Sequence, residues 1–583
     1  MTQEELEIMR HSFAHVLMQA LEKMYGAIPA VGPVIENGFY HDFDCNYQVK
    51  EEDLPKIEKT MKKIIKDNLV IEKEVMSIDD AIKALQEKKY IYTAELAEDL
   101  RKEGETEVSF YKQGDFMNMC RGPHCATTRD LNPRAFKLTK VAGAYWKGDE
   151  KNKMIQRIYG VAFATPEELE KYLELLEEAK KRDHRKLGKE LDLFCFSDLV
   201  GSGLPMFTPK GVVLIDELKK HIEGVCRRYG FEKVMTPHLS KIDLFEASGH
   251  AQKFSEELFR VSSGQGHDFA LKPVQCPHQT QIYASRPRSY RELPIRYMES
   301  EKQYRAEQSG EVGGLSRVYA ITVEDGHTFC RVDQVKDEIK NLVNIIKDFY
   351  TALGLWDNHW VSLSVRDYDH PEKYIGNDKD WDDCERILEE VADEMGLDVK
   401  RCEGEAALYR PKLDFMFKDA LGKEIQIPTV QIDFATPKRF ELSYTNKEGK
   451  DEYPVMVHRA ILGSYERFLV LLIEHFAGAF PLWLSPVQVK IISVGEGHIE
   501  YCKKLADEFR AQDIRVEVDD NNETVGNKIR KTIKEKVPYM LVIGDKEMNS
   551  DKLNIRDRGS DKVREISKED FFNEVADKVR NKK

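Results

Sequence analysis

Two rhythms of apolar and polar positions run along this chain, and they change from segment to segment. The opening stretch, MTQEELEIMRHSFAHVLMQALEKMYG, repeats apolar residues at helical spacing and predicts an amphipathic helix, not a signal or transit peptide. Helical segments and short strand-like runs such as GPVIENGFYHDF then share the chain up to residue 164. TPEELEKYLELLEEAKKRDHRKLGKELDLF (165–194) predicts one long exposed helix, with Thr165 as N-cap, Pro166 in the first turn and Glu168 completing a capping box. Its thin apolar stripe and dense charge suit a connector between domains. Over 195–484, helical patterns (VDQVKDEIKNLVNIIKDFYTALG and HRAILGSYERFLVLLIEHF) alternate with the extended runs RELPIRYMESEKQYR, RVYAITVEDGHTF and EIQIPTVQIDF. Extended runs this close in sequence predict an antiparallel sheet with helices packed on it, a multidomain α+β protein. Over 485–583 the order becomes strand VQVKIISV, helix, strand IRVEVDD, helix, strand PYMLVIG, which predicts a small parallel or mixed α/β domain.

Composition narrows the class. At 583 residues the chain exceeds one hydrophobic core, so three or four domains are expected. The most apolar run, RFLVLLIEHFAGAFPLWL, is interrupted by Glu474 and His475, so no membrane-spanning helix is expected. Ten cysteines without a CxxC pair point to a reduced, cytoplasmic protein and away from a disulfide framework. A net charge of −14 does not mark the whole chain as a nucleic-acid binder. Local basic runs, NKIRKTIKEK (527–536) and RKLGKE (185–190), are compatible with phosphate contacts or with plain solvated helix faces.

Candidate chemistry gathers in three places. In QCPHQ, Cys276 has no second cysteine near it and reads as a core filler, a reactive thiol or one ligand of a site assembled from distant segments. In RAEQSGEVGGLSRVYAITVEDGHTFC (305–330), Gly310, Gly313 and Gly314 form a flexible loop between extended segments. A period of two then puts Arg317, Tyr319, Ile321, Val323, Asp325 and His327 on one face, with phosphate suited to the arginine end and a metal or polar group to the other. A half-exposed edge strand gives the same pattern. HSFAH places His11 and His15 one helical turn apart, and CRGPH adds Cys120 and His124, a set whose ligand types allow a zinc site.

Taken together, HSFAH, GPVIENGFY, MCRGPH, AGAYWKGDEKNKMIQRIYG, RDHRKLGKELDLF, KPVQCP, RAE followed by SG, VQIDF, VMVHRAILGSYERF and PYMLVIGDKE occur in one order. In that order the chain resembles threonyl-tRNA synthetase, a class II aminoacyl-tRNA synthetase. The resemblance implies an editing domain (1–164), a linker helix (165–194), an antiparallel class II catalytic domain (195–484) and an anticodon-binding domain (485–583). It implies ATP-dependent activation of L-threonine, charging of tRNA(Thr), and hydrolysis of mischarged seryl-tRNA(Thr). Cys276, His327 and His458 would hold one Zn²⁺ per subunit, with Asp325 accepting the proton of the threonine hydroxyl. Arg305 would clamp the α-phosphate, Glu307 read the adenine amino group, Arg317 meet the terminal phosphates and Arg467 the γ-phosphate and one adenine face, with Mg²⁺ accompanying ATP. Gln431 and Tyr409 would line the amino-acid pocket, and Gly463 would let the backbone approach the nucleotide. His11, His15, Cys120 and His124 become the editing pocket, described in bacterial relatives as metal-free. Asn522, Glu547 and Arg556 fall at anticodon-contacting positions, and GFEKVMTPHLS (230–240) resembles the class II dimer motif, implying a homodimer. The family commonly has a further small domain ahead of the editing domain, which this chain is expected to lack.

The chain departs from the family pattern where substrate is expected. RGFTQDDAH is YAITVEDGH here, so Tyr319, Ala320, Ile321 and Val323 replace arginine, glycine, phenylalanine and glutamine. YGPK is YRPK, which adds Arg410; CGT is IPT (427–429); CPGH is CPHQ, which brings in His278 and Gln279. In the editing motifs an aspartate is Asn118 and a lysine position is Ile91. Three readings follow: a threonine–tRNA ligase, a paralogue that binds or edits tRNA without activating threonine, and a hydrolase with two metal sites.

Overall fold

The computed structural model describes residues 1–253, 255–266, 268–308, 310–374, 377–407, 410–418, 422 and 424–582. The chain divides into two compact units, residues 1–177 and 178–583. In the first, helix α1 (Gln3–Tyr25) starts in a capping box made by Thr2 and Glu5 and stops at Gly26, whose φ of 61° favours glycine. Its apolar face buries Phe13, Leu17 and Leu21 against an antiparallel sheet whose long strands are Gly38–Asp44, Met154–Ala162 and Phe136–Tyr145. A three-stranded sheet (Ile71–Ser77, Glu107–Gln113, Phe116–Met119), packed with the helices Ile78–Glu87 and Ile91–Lys102, completes the unit.

The continuous helix predicted over 165–194 is interrupted. A helix spans Pro166–Arg182, with Thr165 Oγ1 accepting from Glu168 N at 3.2 Å. Asp183 leaves helical geometry and caps a second helix, His184–Glu190, by accepting from Arg185 N. Leu187, Leu191, Leu193 and Phe194 are buried in the core of the second unit, so the end of the expected linker is part of that body. An aspartate that can cap locally wins over continuation of the charged helix.

The second unit is built on an eight-stranded sheet. Its strands are β1 (Glu232–Lys233), β2 (Ile295–Tyr304), β3 (Ala320–Cys330), β4 (His359–Val365), β5 (Val399–Glu403), β6 (Lys412–Lys418), β7 (Glu424–Asp433) and β8 (Val455–Ser464). They lie in the order β1-β2-β3-β8-β7-β6-β4-β5, antiparallel except for one parallel pair at each edge. The alternation of side chains divides the sheet's faces. Val430, Ile432 and Val457 pack in the main core with α3 (Val335–Thr351) and α4 (Tyr465–His475). Asp325, His327, Gln431, Asp433 and His458 fall on the alternate positions. HRAILGSYERFLVLLIEHF, read from sequence as one helix, is strand β8 up to Ser464 and helix α4 from Tyr465. Gly463, with φ 69°, and Ser464, whose side chain caps Arg467 N, make the switch.

The C-terminal domain holds five strands in the order Val516–Asp519, Val489–Ser493, Tyr539–Ile543, Lys552–Asp557, Val563–Ser567. The first three are parallel and the last two antiparallel, a mixed sheet.

Candidate active sites

In the first unit α1 presents His11 and His15, and the turn after the strand Phe116–Met119 presents Cys120 and His124. That turn requires Gly122: a Cβ there would lie 2.0 Å from Tyr111 Oη, and its φ is 71°. The thiol of Cys120 lies 3.2 Å from His11 Nε2 and 3.3 Å from His124 Nε2. Ser12 Oγ donates to Ile8 O and so receives the Nδ1–H of His124 at 3.4 Å, which leaves the His124 Nε2 lone pair toward the thiol. Burial lowers the His124 pKa to about 3, lowers that of His15 well below its usual value, and raises the Cys120 thiol. The pocket therefore offers neutral imidazoles and a protonated thiol at neutral pH. His11, His15 and Cys120 line a cavity of about 940 Å³. Asn118, buried in the cavity wall, accepts from Met119 N. Ile91 is 56% exposed and lines no part of this cavity; the lysine that does is Lys147, paired with Glu95 and Asp99. The sequence reading passed over His41, which lines the same cavity and donates from Nδ1 to Asp42 O at 2.8 Å. Its only signal was its place in GFYHDF, where a strand face is buried.

In the second unit three adjacent strands bring the other set together. His327 of β3 pairs with His458 of β8, which pairs with Gln431 of β7. Cys276 opens helix α2 (Cys276–Ala284) beside them. One ligand atom from each of Cys276, His327 and His458 lies within 4.8 Å of the others, and all three are buried or nearly so. His458 Nε2 is 3.0 Å from Asp433 Oδ2 and His327 Nδ1 is 2.8 Å from Gln279 Oε1, so each ring is oriented by an outer acceptor. A sulfur and two imidazole nitrogens at this spacing fit zinc with an open fourth position. Asp325 stands beside His327 with its carboxyl pushed up to about 6 by burial.

These groups border a second cavity, of about 690 Å³, whose wall includes Cys276, Arg305, Gln431 and His458. His250, Lys412 and Arg439 also line it and were missed from sequence, because they come from two short helices and a strand that only the fold juxtaposes. Arg410 is turned away: it is buried beside Asp380 and over the rings of Trp381 and Phe434. It does not line the cavity and so does not stand in for the missing glutamine; Lys412 is the strand cation on the wall. Arg317 lies before β3 and not on its face, held by Glu311 at 2.9 Å and Glu307 at 3.5 Å. Arg467 Nε donates to Ser316 O. Its pKa is lowered first by desolvation and then by the charges of Arg317 and Arg305. Gly463 is a strand residue in the left-handed region, with nothing closer than 3.7 Å to where a Cβ would sit. Pro428, in the IPT segment, sits at a register shift between β6 and β7, as expected of a residue with no N–H to give. Tyr409 lies outside the described residues.

In the C-terminal domain Asn522 is exposed in the loop after Val516–Asp519, and Glu547 follows Tyr539–Ile543. The Glu547 carboxylate accepts from Asn554, two residues from Arg556 on the same strand. Arg556 is itself engaged by Ser560 O and Asp561.

An antiparallel sheet of this order, with Arg305, Arg439, Gln431 and His458 in the wall of one cavity, defines the class. Residues 259–476 match the tRNA synthetase class II core domain (G, H, P, S and T), 488–578 an anticodon binding domain, and 108–159 the second additional domain of threonyl and alanyl tRNA synthetases. The chain is 44% identical over 582 residues to a threonine–tRNA ligase of Geobacillus kaustophilus, covering all of this chain and 88% of that protein. It is 43% identical over 585 residues to one of Staphylococcus aureus, covering 90% of it. It therefore belongs to the threonine–tRNA ligase family. Among solved structures, a threonyl-tRNA synthetase RNA-binding domain from Cryptosporidium parvum superposes with a TM-score of 0.64 at 33% identity, covering 68% of this chain and 98% of that one. A putative threonyl-tRNA synthetase from Aeropyrum pernix gives 0.60 at 28% identity, covering 69% and 97%.

Proposed function

We propose that the chain ligates L-threonine to tRNA(Thr) through threonyl-adenylate and hydrolyses seryl-tRNA(Thr) in its N-terminal unit. The reading is carried by the meeting of Cys276, His327 and His458, of which Cys276 and His458 line the cavity that also holds Arg305 and Gln431. Cys276, His327 and His458 would hold zinc, which would supply a Lewis acid able to tell threonine's hydroxyl from valine's methyl. Asp325 takes the hydroxyl proton. Arg305 offsets charge on the α-phosphate as the threonine carboxylate attacks it, and Arg317 and Arg467 hold the outer phosphates with Mg²⁺. For Arg317 this means exchanging Glu307 and Glu311 for phosphate, which frees Glu307 for the adenine amino group. Gln431 and Tyr409 border the amino acid, and Gly463 gives the nucleotide close access to the backbone. Ile321 covers adenine as an aliphatic surface, without the ~0.5–1.5 kcal/mol that a stacked ring adds.

Serine keeps the hydroxyl and passes the first filter, so a second site has to remove it. His11, His15, Cys120 and His124 bind the seryl ester and orient water, with His124 Nε2 as the proton acceptor. Asn522, Glu547 and Arg556 contact the anticodon. A homodimer is supported by segment 230–240, which exposes Met235 and Leu239 beside the edge strand β1. No helix among the described residues is long and apolar enough to cross a membrane, and ten free cysteines suit the cytoplasm. Nothing in the comparisons supports the paralogue without activation. Threonine-dependent ATP–pyrophosphate exchange, with serine and valine in parallel, is the test: exchange with threonine and serine but not valine is expected, and no exchange with any of them would overturn the ligase reading.

A further inference from the structure

Helix α2 delivers two residues to the zinc-binding set, Cys276 and, one turn on, Gln279. We propose that Gln279 is a positioning residue, fixing His327 as the Nδ1–H tautomer so that its Nε2 lone pair faces Cys276 and His458. The proposal rests on the reading of those three residues as the zinc site.

Glu299 of β2 is 2% exposed, and its Oε1 accepts from Thr236 N at 2.6 Å. Thr236 Oγ1 lies 3.0 Å from the same oxygen and receives a hydrogen bond from Lys272 Nζ, itself fully buried and 3.6 Å from Glu299. Held in this way, Glu299 presents its other oxygen, Oε2, to Gln279 Nε2 at 3.3 Å. An amide has one donor end and one acceptor end, so the carboxylate fixes its orientation. The acceptor, Oε1, then lies 2.8 Å from His327 Nδ1, which must donate. Gln279 and His327 are both essentially inaccessible to solvent, and the other tautomer would leave two acceptors facing each other with no water to relieve them. Gln279 stands where the family usually has histidine, while the neighbouring His278 turns away to Ser240. His458 is held instead by the carboxylate of Asp433, so the two imidazoles carry unlike outer partners.

The test uses the full-length protein and zinc itself. Gln279→Met keeps the side-chain length but removes both amide ends; zinc affinity, read by chelator competition, should fall ten- to a hundredfold. The Co²⁺-loaded variant should show a shifted d–d absorption, and the urea midpoint reports whether the core is intact. Gln279→His, which restores a nitrogen acceptor, should bind zinc within about threefold of the unmodified protein. If the unmodified protein binds no zinc, the reading of the site fails and the inference with it. If it binds zinc and Gln279→Met binds equally well with an unchanged Co²⁺ spectrum, the inference alone is overturned. Equal losses in the Met and His variants would overturn it too. Should Gln279→Met not fold, Gln279→Asn, which withdraws the amide by one methylene, takes its place under the same outcomes.

Discussion

The two halves of the chain each gather one cysteine and two histidines, with ligand atoms within 4.8 Å of one another. They are the same residue types at the same spacing, yet they are built for different work. In the core each histidine places one nitrogen on an outer acceptor, Gln279 or Asp433. In the N-terminal unit the histidines spend their Nε2 atoms on the Cys120 thiol itself, and His124 is backed by a hydroxyl, not a carboxylate. Outer carboxylates and amides raise ligand basicity and fix the ring; a thiol between two imidazoles is already satisfied without a metal. What separates the two sets is the second ring of contacts: an amide and a carboxylate in the core, a hydroxyl behind His124 in the N-terminal unit.

The sharpest way to break the comparison is to remove one cysteine at a time. Cys276→Ala should abolish zinc retention and lower threonine-dependent pyrophosphate exchange by roughly 10³-fold or more, while seryl-tRNA(Thr) hydrolysis continues. Retained zinc in that variant would mean that the N-terminal cluster is the metal site. His124→Ala should lower seryl-tRNA hydrolysis about 10²–10⁴-fold and leave both exchange and a zinc content of about one per chain unchanged. Two equivalents of zinc in the unmodified protein would restore the two-metal reading.

A smaller effect sharpens the contrast in electrostatics. Burial holds the pKa of His41 at about 4 against 6.5 when unfolded. A histidine depressed in the fold takes up a proton more readily when unfolded, so its contribution is present above pH 6.5 and is lost as pH falls toward 4. His41 alone accounts for about 3 kcal/mol over that window. The unfolding midpoint of the first unit should therefore drop with acid, and His41→Phe should flatten the dependence. Smallest in effect is Gly326→Ala: a Cβ at Gly326 would lie 2.5 Å from Tyr297 O and 2.7 Å from Arg459 Nε. Arg459 is committed to the buried Glu324, so it cannot move aside cheaply. A loss of about 1–3 kcal/mol in the denaturant midpoint of the second unit is expected. Glu324 and Gly326 flank a bulge in β3, with Gly326 opposite Arg459.

Local pattern by itself determined the elements whose signals are local. The α1 capping box, the extended runs that became β2, β3 and β7, and the mixed C-terminal sheet follow from propensity, alternation and turn chemistry within a few residues. Motif order pointed to the family and to the cysteines and histidines that the fold brings together. Where two local signals competed, sequence misled: Asp183 broke a helix that charge spacing continued, and Gly463 ended a strand inside an apolar run read as helical. Only tertiary structure decided that Arg410 faces Asp380, that Lys412, His250 and Arg439 reach the cavity, and that Arg317 is held by glutamates. The physical reason is that side-chain direction and hydrogen-bond partner depend on neighbours tens to hundreds of residues away. The pairing of His327 with Gln279 is set by a carboxylate on another strand, and no spacing in the chain records it.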